Sequence, residues 1–184
     1  METAQVVALI AFLFVAVAVA LGARRTGSIL SRTREAEGFR GSVGDLARRV
    51  ESSLGDVSAL IDGVRRRDTE PETIRASLAA ARDAVDRYGE EARELAAPAI
   101  ALPHRDEIVY ELERAGRALE LVNHGCLLYE TGRRLERGTE ADTAVKRGYL
   151  NLIHARESIA EQAKLAIERA EAASPVRRIQ RRNV

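Results

Sequence analysis

The chain has 184 residues and a formal net charge of +1, from 29 basic and 28 acidic side chains, with no Trp, three Phe, four Tyr and one Cys. That length leaves room for one domain of ordinary size. The lone Cys126 excludes an intramolecular disulfide and agrees with a reducing compartment, and the scarcity of aromatics speaks against a base-stacking nucleic-acid platform.

From Val6 to Ala23 every residue is apolar or Gly. As a helix this run is about 27 Å long, close to the hydrocarbon thickness of a bilayer, so residues 1–24 are expected to form a single transmembrane anchor. A secretory signal carries Lys or Arg before its apolar core. Here Met1, Glu2 and Thr3 precede the run, and Arg24 and Arg25 follow it. Retention is therefore expected over cleavage. The small residues Ala18, Ala20 and Ala23 leave a second reading, a helical domain released into the envelope. Arginines on the C-terminal flank orient the N-terminus outward and the rest of the chain toward the cytoplasm. The location expected is the cell inner membrane of a bacterium, since arginine and alanine are abundant and Lys146 and Lys164 are the only lysines, a bias typical of GC-rich coding.

Residues 25–41 read as a basic juxtamembrane linker rich in Gly, Ser and Arg. Residues 24–41 carry a net +3, residues 42–174 a net −5 from 20 basic and 25 acidic side chains, and the tail 175–184 a net +4. The small total thus hides two basic ends around an acidic middle.

Four amphipathic helices are expected after the linker, over about 42–67, 70–95, 104–137 and 139–174. Ser42 and Asp45 have capping-box spacing, and Val43, Leu46, Val50, Leu54, Val57, Ile61 and Val64 recur every three or four residues. Thr69 and Glu72 form a second box around Pro71, followed by Ile74, Leu78, Ala81, Val85, Tyr88, Ala92 and Leu95. Pro98 and Pro103 interrupt the helical pattern. A third stripe runs through Ile108, Leu112, Ala115, Leu119, Val122, Cys126 and Tyr129, with Gly138 as its C-terminal cap. Thr139 and Asp142 open the fourth, which carries Val145, Gly148, Leu152, Ala155, Ile159, Ala163, Ala166, Ala170 and Ala173. The fold class expected is all-α: an N-terminal transmembrane helix followed by an antiparallel four-helix bundle with coiled-coil-like seams.

Polar residues interrupt the third stripe at "NHGCLLY". With the hairpin folded about Gly138, Asn123 and His124 stand level with Asn151 and His154, a polar layer that would fix register. Two His and one Cys fall short of the four ligands of a structural zinc site, so neither a metal nor a cofactor is expected. Arg117 precedes His124 by seven residues and Arg147 precedes His154 by seven. A helical Arg followed by a His loosely resembles the pattern of HEPN-type ribonucleases, which would imply RNA cleavage with Arg holding phosphate and His moving a proton. The stretch around His124 is also similar to histidine phosphotransfer domains, but it departs from them at Leu127 and Leu128, where those domains carry a cation. Glycines 116, 125, 132 and 148 fall inside helices and read as permits for close helix approach.

The function expected is non-enzymatic: a membrane-anchored interaction or scaffold module at the cytoplasmic face. A histidine-dependent module using His124 or His154 is the alternative. Expected partners are the bilayer, anionic headgroups met by Arg24, Arg25, Arg177, Arg178, Arg181 and Arg182, an unidentified protein and a second copy of the chain. Nucleic acid is not favoured.

Overall fold

The computed structural model describes the backbone of residues 2–131 and 135–173 and the side chains of residues 34–130 and 138–172. The described residues form four helices: α1 (Glu2–Arg66), α2 (Pro71–Glu94), α3 (Leu102–Thr131) and α4 (Leu135–Ala173). No strand is present among the described residues.

The stripes read from the sequence form the core. Leu46, Leu54 and Ile61 of α1, Ile74 and Leu78 of α2, Leu112 and Leu119 of α3, and Leu152 and Ile159 of α4 are all nearly or fully excluded from solvent. Burying each such side chain stabilises the fold by about 1.5–3 kcal/mol, while the many seam alanines contribute far less.

Each helix packs against its neighbours in chain order, and α4 closes the ring against α1. Specific pairs establish the antiparallel register. Arg49 of α1 meets Glu91 of α2, and Ser53 Oγ lies 2.9 Å from Tyr88 Oη. Between α2 and α3, Arg75 pairs with Glu130 and Arg93 with Glu113. Between α1 and α4, Arg40 donates to Glu171 at 2.6 Å and Arg156 lies 3.5 Å from Glu51.

The expected break at 25–41 is absent, and α1 runs unbroken from Glu2 into the bundle. Ser42 is therefore no cap; it lies within the helix. The glycines there are single and separated, each costing a helix about 1 kcal/mol. Ala36 and Phe39, both buried, and the Arg40–Glu171 pair oppose that cost by packing the stretch onto the bundle. Residues 24–35 thus form about 18 Å of helix between the apolar run and the base of the bundle.

Among the described residues no helix is long and apolar enough to cross a membrane. The anchor expected at 1–24 falls where side chains lie outside the described residues.

Three further boundaries differ from expectation. The N-cap of α2 is Glu70, in extended backbone and without a side-chain cap bond, because Pro71 takes the first helical position. The Thr73 hydroxyl instead donates to the Glu70 carbonyl at 2.7 Å. α3 begins at Leu102 with Pro103 in its first turn, where the missing N–H costs nothing. Gly138 is not a cap, since α4 starts at Leu135 and carries both Gly138 and Thr139 in its first turns.

α1 ends in a Schellman arrangement: Arg67 N–H donates to Val64 O at 3.0 Å and Asp68 N–H to Gly63 O at 2.9 Å. The residue in the left-handed conformation is Arg67, with φ of 66°, where glycine is usual.

Candidate functional site

The register of the α3–α4 hairpin is set by two glycines. A Cβ on Gly125 would lie 2.7 Å from Val145 Cγ2 and 3.1 Å from the Ala141 carbonyl oxygen. One on Gly148 would lie 2.5 Å from Val122 Cγ2 and 2.8 Å from the Ala118 oxygen. The two backbones therefore approach with nothing between them, as expected of these glycines.

These contacts put the pivot of the hairpin about four residues before Gly138. The correction separates the expected polar layer. Asn123 and His124 stand level with about residues 144–145, and His154 stands level with about residue 114, so the two histidines are roughly 15 Å apart along the bundle. Both imidazoles are exposed, and Asn123 and Asn151 are half-buried. Arg117 lies 4.0 Å from Glu113 one turn earlier on α3, an exposed pair that occupies its guanidinium. Neither His124 nor His154 lines the concave surfaces beside Arg48, Arg67 or Arg82.

A polar tie that the pattern did not single out joins α3 to α4: His104 Nδ1 lies 2.8 Å from Gln162 Oε1, half-buried. Its only sequence signal is its place beside Pro103 at the start of α3.

Nucleophilic chemistry is disfavoured at Cys126. The thiol is fully buried, and burial pushes its pKa up to about 11, so it is protonated at neutral pH and unreactive. Tyr129 is pushed up to about 12, first by burial and then by its hydrogen bond to Asp142. No group of three or more His, Cys, Asp or Glu among the described residues is arranged to hold a metal.

Several charged side chains pair between helices. Glu130 meets Arg75 across the α2–α3 groove. Arg82 bridges Asp86 and Glu120, its side chain lying over Gly116. Arg49 also stacks on Tyr88 at 5.4 Å, and Arg65 on Tyr149 at 5.5 Å.

Besides surfaces along the helices, beside Arg49 and Glu91 and beside Arg82 and Asn123, concave surfaces lie at the two ends of the bundle. The distal one, about 450 Å3, is lined by Arg67, Glu70, Glu72 and Tyr129. The basal one, about 560 Å3, lies between Glu35 and Ala36 of α1 and the α2–α3 connector at 96–100. The basal end is also where the N-terminal extension of α1 and the C-terminus of α4 both emerge, since Glu171 is held by Arg40. The membrane-contact candidates themselves, Arg24, Arg25, Arg177, Arg178, Arg181 and Arg182, have side chains outside the described residues.

Comparison with protein families, with curated proteins and with solved structures finds no match.

Proposed function

We propose that this chain is a single-pass membrane protein that holds a non-enzymatic four-helix bundle at the cytoplasmic face as an interaction or scaffold module. One observation carries the reading: the apolar run from Val6 to Ala23 lies on the same unbroken helix that supplies the first quarter of the bundle core. Insertion of that run would fix the bundle on a helical stalk of about 18 Å, with Arg24 and Arg25 at the headgroups and the C-terminal side retained in the cytoplasm. The exposed, separated histidines and the protonated Cys126 give catalysis little to work with.

The test is protease protection of a C-terminally tagged chain in intact cells and in spheroplasts, with the mass of the mature protein read alongside. Protection in both, with residues 1–25 retained, supports the anchor. Digestion in spheroplasts together with a mature chain beginning after about Ala23 would replace it with a released envelope domain. Turnover of RNA or of a phosphodonor by the purified protein, abolished by His154→Ala or His124→Ala, would replace the non-enzymatic reading.

A further inference from the structure

The basal groove is apolar, and the described elements leave it open. Ala96, Ala99 and Ile100 on its connector wall are exposed, Ile100 to 47%. Across from them Glu35 has no ion-pair partner among the described residues, and Glu37 and Glu94 are exposed near the same end.

α4 delivers the following segment to this place. Ile167 lies against Gly44 and Glu171 holds Arg40, so Ala173 is level with about residue 38 of α1. The residues that follow, "SPVRRIQRRNV", place Val176 and Ile179 among four arginines. An extended chain covers about 10 Å from 173 to 176 and about 20 Å from 173 to 179, enough to cross from one helix to its neighbours at 8–10 Å spacing. The Arg40 Nε atom, enclosed without an acceptor among the described residues, sits on this exit path.

We propose that residues 175–182 fold back across the base of the bundle, seating Val176 and Ile179 in the groove and bringing the arginines to Glu35 and its acidic neighbours. Charge favours this: a segment of net +4 faces a bundle of net −5. Distance favours it too. The continuous helix puts the end of the apolar run about 18 Å beyond Glu35, so the groove is the nearer apolar surface and the headgroups the farther one. The inference holds whether or not residues 6–23 are in a bilayer.

The experiment uses the full chain in detergent and in anionic and neutral vesicles, with Cys126→Ala as background. Ile100→Cys paired with Ile179→Cys is treated with a short bismaleimide, and Leu150→Cys with Ile179→Cys serves as the control pair. Mixed isotope-light and isotope-heavy chains report whether a link is within one chain. The expected result is an intrachain link for the first pair in all three settings and none for the control, with Glu35→Lys lowering the yield about two- to fivefold at unchanged helicity. A yield equal to the control, a light–heavy product, or a link lost in anionic vesicles overturns the proposal. The second of these results would assign the groove to another copy, and the third would assign the tail to lipid.

Discussion

Between α3 and α4, a methyl group on Gly148 would sit 2.5 Å from Val122 Cγ2 and 2.8 Å from a backbone oxygen, whereas Cβ positions on Gly38 and Gly41 of α1 meet nothing within 4 Å. The residue type is the same and all of these glycines are helical, yet the first set makes the packing and the second only weakens its helix. The α3–α4 interface is therefore intolerant of volume. The basal stretch of α1 is held by Phe39, Ala36 and the Arg40–Glu171 pair despite its glycines.

The largest effect that sharpens this contrast is expected from Gly148→Ala. The added carbon strikes a backbone carbonyl that cannot swing aside, so a loss of about 2–3 kcal/mol is expected from chemical denaturation, with Gly125→Ala close behind. A neutral result at both sites would mean that α3 and α4 do not touch backbone to backbone. Arg67→Gly comes next, in the opposite direction. Relieving a side chain in the left-handed region is worth about 1 kcal/mol, against which the exposed 3.6 Å contact with Asp142 counts little. A destabilised variant would show that this contact outweighs the backbone strain.

Gly41→Ala is expected to raise stability by about 0.5–1 kcal/mol, since the site is open and alanine is the better helix former. A destabilisation there would mean that another surface closes on that face. The smallest effect concerns alkaline pH. Tyr129 keeps its proton in the fold up to about pH 12 against 10 when unfolded, so the stability it contributes is complete below about pH 10 and is lost as pH rises through 12. Tyr129→Phe should flatten that part of the pH profile, read by thermal melts at stepped pH.

The same contrast explains what the sequence made legible. Seam residues such as Leu54, Leu78, Leu119 and Leu152 were readable because burial imposes a period of three and four on apolar side chains. The glycines of α3 and α4 were readable because they interrupt otherwise strong helices. The helix through 25–41 was not. Local composition there favours a linker, and the forces that override it are tertiary: Phe39 against the core and Arg40 against a glutamate 131 residues away. The hairpin register failed for a related reason. Gly138 carries a cap signature, but the close contacts of Gly125 and Gly148 place the pivot earlier, and His124 and His154 part company as a result. His104 and Gln162 meet only because of that register, which no local pattern encodes.

The continuity of α1 underlies both the stalk and the distance argument for the tail, and one measurement addresses it. Spin labels at Ser28→Cys and Ser42→Cys in the Cys126→Ala background are 14 residues apart, which along a helix is about 21 Å of axial rise. Pulsed dipolar spectroscopy on the full chain in vesicles should give a single narrow distance distribution consistent with that rise. A broad distribution, of the kind a Gly- and Ser-rich coil produces, would contradict the unbroken helix and leave the bundle on a flexible tether.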